Sequence, residues 1–391
     1  MNPSASGWIH KLQAIISSNS MFLNYEVDEF YESLKNCGFI YGSNIGVAKD
    51  IVQNNDLTNE ELSKVNLFLA LQHAYVKSES TRPLTESLVA FYQEIKVHKT
   101  SFFGTLINGK ATEATLEKIV HKRVQIDDNI LTKNFNYFVI NALLFVDVLA
   151  YQHYLIYGEI DNTYVINLES SIETIVLKTL NSKHYKTPYD ESLIKLVEAS
   201  LRYQDNQNIT YTASINNLQS SFEKWYLFDI ACMATWSDRL IDSNEQEFLR
   251  KLGSDLQLSS HKIEGSINTV NEFYSTHKDN IALLSSTNIV KNFYDNSSQM
   301  VGKLISRNRR RLIKELEQSK ELVKLIGQST VRDLSDEEQK QLQSQLLDII
   351  KSIPSLAIFM LPGGALLLPL FVKFIPKLLP SAFDDNRIEN E

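Results

Sequence analysis

The chain has 391 residues, of which 43% are hydrophobic and 22% are charged, so its composition excludes a disordered protein and allows two or three domains with separate cores. A formal net charge of −8 argues against broad, non-specific binding of nucleic acid, and DNA is not expected as a partner. The two cysteines, Cys37 and Cys232, lie far apart without a C-x-x-C spacing, which argues against a disulfide framework or a zinc site.

The first twenty residues lack the charged and long apolar regions of a secretory signal, so most of the chain is expected in the cytoplasm. Glycine and proline are scarce, with 13 and 8 residues, and apolar residues recur at three- and four-residue spacing. This pattern predicts an all-α fold made of several cytoplasmic helical domains. Among the expected helices are those over residues 62–76, 84–95, 135–157 and 172–180.

The run over residues 135–157 is apolar enough to suggest a membrane helix. Because Asn141, Asp147, Gln152 and His153 interrupt it, a central buried helix is the preferred interpretation. Polar stretches at 203–214 and 292–298 indicate linkers. They divide the chain into an N-terminal helical domain at 1–205, a middle domain at 215–295 and a C-terminal region at 300–391.

An acidic turn follows the apolar helix predicted over 225–236. It contains Asp238, Asp242 and Glu245, and the last two have the spacing of a capping box, which predicts the start of a second helix. Oxygen ligands this close together could alternatively hold a divalent cation, the only cofactor the sequence leaves open. With Asp238, Ile241 and Glu245 at matching positions, the turn resembles the tellurite-resistance TerB-like family, although Arg239 stands where that family usually has glycine.

A basic helix is predicted over residues 303–326. Its cations form one stripe with two flanking positions: Lys303, Arg307, Arg310 and Lys314, with Arg309 and Arg311 beside them. Ile305, Leu312 and Leu316 fall on the opposite face, together with Val323. Because arginine suits phosphate, the stripe predicts a contact with RNA or with lipid phosphate. A solvated helix face is the alternative, since several glutamates follow.

The C-terminal region begins with a capping box at Ser335 and Glu338, which opens a helix leading into residues 353–372, where no side chain is charged. Twenty such residues are about the length needed to cross a hydrocarbon core. The predicted membrane segment is 353–380, a proline-rich helix that would be kinked and packed on another helix or on a second copy of the chain. A buried hairpin, broken at 362–364, is the alternative.

This stretch resembles the membrane region of the leucine-zipper/EF-hand transmembrane (LETM) family. The resemblance rests on a charged helix followed by Pro354, Pro362, Pro369, Lys373, Phe374, Pro376, Pro380, Ser381, Phe383 and Asp384. With the TerB-like turn, the chain resembles bacterial LETM-related proteins described as biofilm-associated. The resemblance implies an inner-membrane location, cation/proton exchange and a ribosome-binding domain after the span. Ala365 replaces the family's glutamate, so exchange is poorly supported, and the chain's end soon after Pro380 predicts that the later domain is missing.

The sequence contains no Gly-rich phosphate loop, G-x-S-x-G or His-Glu-x-x-His motif, and its eight histidines are scattered singly, so no enzyme is expected. The preferred function is a non-enzymatic, membrane-anchored adaptor at the cytoplasmic face of a bacterial inner membrane. Its expected partners are inner-membrane lipids, a cytoplasmic protein or ribosome, and a second copy of the chain. A subunit of a cation/proton antiport system is the alternative.

Overall fold

The computed structural model describes residues 1–18, 23–52, 57–96, 111–124, 143–160, 162–183, 186, 209–235, 243–277, 301–332, 334–353, 356 and 371–372. Every regular element within these ranges is helical, which confirms the predicted all-α fold. The predicted helices over 62–76, 84–95 and 172–180 all lie within observed helices. That over 135–157 is observed from Leu144 onward, and residues 135–142 lie outside the described ranges.

Within the described residues the first eleven helices, in chain order, are α1 Trp8–Ser18, α2 Val27–Asn36, α3 Asn59–Val76, α4 Leu84–Lys96, α5 Glu113–Val124, α6 Leu144–Tyr157, α7 Asn162–Ser182, α8 Tyr211–Asn216, α9 Ser221–Ala234, α10 Ser243–Asp255 and α11 Ser260–His277. A short 3₁₀ turn at Ala48–Asp50 precedes α3. Four more helices follow: α12 at 301–307, α13 Arg309–Gln318, α14 Lys320–Val331 and α15 Asp336–Ser352.

The helix α3 is the centre of the first group. Every residue from Glu61 to Ala74 is buried, and α3 packs against α4, α5 and α6. A helix that is buried all round needs neighbours on each side, because no face of it is left for water. Its N-terminus is fixed by a capping box in which Thr58 and Glu61 bond each other's side chain and backbone.

The helix α6 is buried along most of its length, as the sequence predicts for a central helix. Its one buried acid, Asp147, accepts hydrogen bonds from Nε of Arg123 at 2.6 Å and from the Tyr92 hydroxyl at 3.1 Å, and it also pairs with Nη2 of Arg123. The charge in the apolar run is therefore neutralised by a neighbouring helix, α5. The helix ends at Gly158, whose left-handed φ of 81° suits glycine.

The turn after α2 depends on another glycine. The amide of Gly38 donates to Lys35 O at 2.9 Å and the amide of Phe39 donates to Leu34 O at 2.9 Å, which is the Schellman pattern of a helix C-terminus. Gly38 has a φ of 81°, and a Cβ added there would lie 2.0 Å from Ser43 O. The turn that follows α2 therefore requires a residue without a side chain at position 38.

Buried apolar side chains from Trp8 to Tyr274 form one cluster, so α1 to α11 share a core. The helix α7 packs against α8, α9 and α10 and joins residues on both sides of the predicted boundary near 205. The end of the linker predicted at 203–214 is helical, since α8 begins at Tyr211. The division into three domains stays a prediction.

The last four helices have a separate apolar cluster. It includes Leu304 and Ile305 of α12, then Leu312 and Leu316 of α13, and residues of α14 and α15. The basic helix, predicted as continuous over 303–326, is interrupted at Asn308 and at Ser319. The Asn308 side chain donates to Leu304 O at 2.7 Å, and apolar residues on both sides of each interruption belong to the same cluster.

None of the helices in the described part of the chain is long and apolar enough to span a membrane. Of the predicted membrane segment, 353–380, only Ile353, Leu356, Phe371 and Val372 are described. Leu356 and Phe371 are fully buried in the apolar cluster of the last four helices. The membrane span and the hairpin alternative both stay predictions.

Candidate functional site: the basic surface of the C-terminal helices

Positive charge is concentrated in the last four helices. Residues 301–314 contain six Lys and Arg and no Asp or Glu, and residues 301–353 contain eleven Lys and Arg against eight Asp and Glu. The whole chain has a formal net charge of −8. This part of the protein therefore carries a local positive charge for a polyanion that the overall charge does not supply.

Four of the six predicted cations are exposed together on α13. We call Arg309, Arg310, Arg311 and Lys314 the basic surface. The three arginines occupy the first turn of α13, where there is no acidic residue and where Asn308 makes no side-chain cap. The N-terminus of a helix already carries positive partial charge, so the arginines add to that potential instead of offsetting it. The arrangement is unfavourable without an anion and suited to binding one.

The basic surface has a rigid base. Leu312 and Leu316, on the other side of α13, are fully buried in the same cluster as Leu346 and Ile350 of α15. The helix α14 is held on α15 by polar contacts as well, since Gln341 Nε2 donates to Glu321 Oε1 at 2.7 Å. The cations of α13 therefore have a fixed position relative to α15.

The other two cations of the predicted stripe do not join this surface. Lys303 Nζ donates to Leu57 O at 3.2 Å, and Arg307 Nη1 donates to Glu61 Oε2 at 2.6 Å. Both point from α12 toward the start of α3. Two cations of the predicted stripe therefore contact the start of α3 and two are exposed, and phosphate binding by the stripe stays a prediction.

Glu61 receives hydrogen bonds from three separate parts of the chain. Besides Arg307, they come from the Ser4 hydroxyl at 2.6 Å and from the Thr58 amide and hydroxyl at 3.0 and 3.1 Å. Burial alone would raise the pKa of Glu61, but the hydrogen bond and charge of Arg307 outweigh it and lower the pKa. Sequence reasoning missed Glu61, although Thr58 and Glu61 have the spacing of a capping box.

The start of α15 is a second capping box, as predicted. Ser335 Oγ accepts from the Glu338 amide at 3.3 Å and Glu338 Oε2 accepts from the Ser335 amide at 2.8 Å. Arg332 donates to both oxygens of Glu338, at 2.6 and 2.8 Å, and this exposed contact lowers the pKa of Glu338 to about 2. The hydrogen bonds fix the turn between α14 and α15.

Residues 334–391 match the family model described as LETM1-like, RBD. This match supports a relationship to the LETM family, and we call these residues the LETM-like segment. Comparison with the curated proteins and with the solved structures gives no match. The TerB-like resemblance of the middle region gains no support. The stretch that resembles the family's membrane region in sequence lies within residues 334–391, which match a model named for the RBD. This match replaces the expectation that the family's later domain is missing from the chain.

Two sets of predicted site residues remain, those of the membrane segment and the metal ligands. The membrane-segment residues Pro354, Pro362, Pro369, Lys373, Pro376 and Pro380 are outside the described residues, as are the predicted metal ligands Asp238 and Asp242. The third, Glu245, is fully buried, with Lys183 Nζ 3.7 Å from its Oε1. No group of three potential metal ligands occurs among the described residues. A metal site in this turn stays a prediction.

Proposed function

We propose that this chain is a non-enzymatic adaptor that binds a ribosome or another ribonucleoprotein and holds it at a membrane. The basic surface of α13 would contact RNA phosphates, the LETM-like segment would supply further contacts, and residues 353–380 would provide the anchor. RBD denotes a ribosome-binding domain in the matched family, and that role is the expectation for residues 334–391 here. The proposal requires binding only and no catalytic group.

One observation carries the proposal. The four exposed cations lie on a helix whose buried face shares an apolar cluster with α15, the first helix of the LETM-like segment. A partner that contacts this segment therefore meets the basic surface in a fixed orientation. Electrostatic contact and segment recognition can then act on the same partner.

The chemistry of the basic surface favours a phosphate backbone. Three of its four cations are arginines, whose planar guanidinium groups bind phosphate oxygens bidentately. Successive arginines on the first turn of a helix point in different directions, which suits a strand of phosphates better than one small anion. The helix N-terminus adds its own attraction for negative charge.

The test is co-sedimentation with purified ribosomes over a salt series. Replacing Arg309, Arg310 and Arg311 with Ala should weaken binding and flatten its salt dependence, by about 0.7 in slope for each single-stranded phosphate that the variant no longer binds. A matched control replaces three exposed lysines on other helices, Lys11, Lys178 and Lys251, with Ala. Equal binding by both triple variants would exclude the basic surface from the interaction.

The anchoring part of the proposal is supported by the uncharged stretch 353–372 and by the LETM resemblance. Its test is carbonate extraction of membranes that contain either the full chain or a truncation ending at Ile350. Retention of only the full chain in the membrane pellet is expected. Release of the full chain would instead favour the buried hairpin, in which Leu356 and Phe371 remain packed on α12 to α15.

A further inference from the structure

The contact between Arg307 and Glu61 joins two bodies that have separate apolar cores. The cluster of α12 to α15 does not merge with the cluster of α1 to α11 among the described residues. At this junction the side-chain bonds that α12 makes to the described start of α3 are polar, from Lys303 to Leu57 O and from Arg307 to Glu61. Separation of α12 from α3 at this point would therefore break polar bonds and leave both cores intact.

Arg307 is incompletely satisfied in this contact. Its side chain is 13% exposed, Nη1 donates to Glu61, and Nε and Nη2 are buried without a hydrogen-bond partner in the described part of the protein. A buried guanidinium nitrogen without an acceptor is unfavourable. A phosphate group, which accepts from two guanidinium nitrogens at once, would satisfy donors that the Glu61 carboxylate leaves unused.

Arg307 also belongs to the cation pattern of the basic surface. Lys303, Arg307, Arg310 and Lys314 are spaced four, three and four residues apart, which puts them on one side of an uninterrupted helix. The interruption at Asn308 and the bonds to α3 separate the first two from the last two. The sequence thus encodes a longer basic stripe than the structure exposes.

We propose that Glu61 is an internal competitor for phosphate: its carboxylate holds Arg307, and with it Lys303, away from the basic surface until an RNA partner displaces it. The inference rests on the proposed function, because it assumes that the basic surface binds RNA. Displacement would extend the surface from four cations to six. The start of α3, with Glu61 at its centre, then acts as a regulatory site for the C-terminal helices.

The expected size of the effect follows from counterion release. Two additional single-stranded phosphate contacts steepen the logarithmic salt dependence by about 1.4 and raise affinity about 25-fold at 0.1 M salt. This is an upper value, reached when the wild type binds with four cations and the released form with all six. One additional contact raises affinity about fivefold.

The decisive variant is Glu61→Gln, tested on the full chain with a 20-nucleotide oligouridine probe over a salt series. Glutamine preserves the capping-box spacing with Thr58 but removes the charge that holds Arg307. Glu60→Gln is the matched control, since it removes the same charge one position earlier, from a residue that pairs with Lys64 and His121. Amide hydrogen exchange of residues 301–307 reports release independently of RNA.

A second variant breaks the same contact from the side of α12, so that an effect of the lost contact can be separated from misfolding of the Glu61 variant. Arg307→Gln also breaks the contact, but it removes a cation that would bind phosphate after displacement. Internal competition therefore predicts for Arg307→Gln the same faster exchange at 301–307 as for Glu61→Gln, with RNA binding about fivefold weaker than that of Glu61→Gln. Equal RNA affinity of the two variants would show that Arg307 does not contact the RNA and would overturn the inference.

Faster exchange at 301–307 with tighter, more salt-sensitive RNA binding in Glu61→Gln, and neither change in Glu60→Gln, would support the inference. Faster exchange with unchanged RNA affinity would reduce the contact to a structural one. Tightening toward phosphatidylglycerol vesicles alone would overturn the assignment to RNA. If the Arg309–Arg311 variant loses binding while Glu61→Gln matches wild type, only the internal competition fails. No RNA binding by any form would overturn the proposed function as well.

Discussion

Replacing Asp147 with Ala should destabilise the first core more than any surface change. Asp147 lies in the first turn of α6, its side chain is 1% exposed, and its partner Arg123 is 5% exposed. The substitution removes two hydrogen bonds from Arg123 and one from Tyr92. It leaves a guanidinium buried between α5 and α6 without its carboxylate.

The magnitude follows from what Arg123 can do afterwards. Burial alone would lower the pKa of Arg123, but the charge and hydrogen bonds of Asp147 raise it above its usual value. Arginine does not deprotonate in proteins, so the charge remains after the carboxylate is removed. Breaking one side of a buried ion pair costs about 3–5 kcal/mol. With an m-value of about 3 kcal/mol/M, the urea midpoint should fall by about 1–1.7 M.

The assay is urea unfolding followed by circular dichroism, with two comparison variants. Glu264→Ala breaks the exposed pair with Arg250 in the same body and should leave the midpoint unchanged within error. The double variant Arg123→Met/Asp147→Leu should recover most of the stability, because two apolar side chains replace both charges. A midpoint for Asp147→Ala equal to that of Glu264→Ala would refute the reasoning.

Three further outcomes are expected. Gly38→Ala should lower the unfolding midpoint more than Gly158→Ala, because both have a φ of 81° but only at Gly38 does an added Cβ collide with backbone; equal losses would contradict this. Ser335→Ala should cost about 1 kcal/mol by removing the cap of α15, measured as faster amide exchange in its first turn; unchanged exchange would show the cap to be dispensable. In NMR titration Glu338 should titrate near pH 2, and Arg332→Ala should raise its pKa. Because the pKa of Glu338 is lower in the folded than in the unfolded chain, the contact with Arg332 stabilises the fold above the unfolded pKa. This stabilisation is lost as the pH falls toward 2.

The helices themselves were predictable because apolar periodicity is a local property of the sequence. It placed α3, α4 and α7, and it favoured a buried position for the run that contains α6. It did not find the interruptions at Asn308 and Ser319, since the residues around them still follow helical spacing. There the second apolar cluster contains residues from both sides of each interruption, such as Leu304 and Leu312 around Asn308.

The candidate site also has one part that could be predicted from the sequence and another part that could not. The number and type of cations in 301–314 were fixed by sequence, and so was the capping box at Ser335. Which cations face solvent was not, because Arg307 meets Glu61 across 246 positions of the chain. Glu245 shows the same limit: its capping-box spacing was visible, but the lysine beside its carboxylate, Lys183, lies far away in sequence.

The sequence alone therefore determined the helical class, the burial of α6, the basic run and the LETM resemblance of the C-terminal residues. Each depends on composition or on spacing within about twenty residues. The tertiary structure alone decided how charges are partnered: Asp147 with Arg123, Glu245 with Lys183 and Glu61 with Arg307. The physical reason is that a charge buried among helices must be neutralised by whichever helix packs next to it, and that neighbour is set by the whole fold.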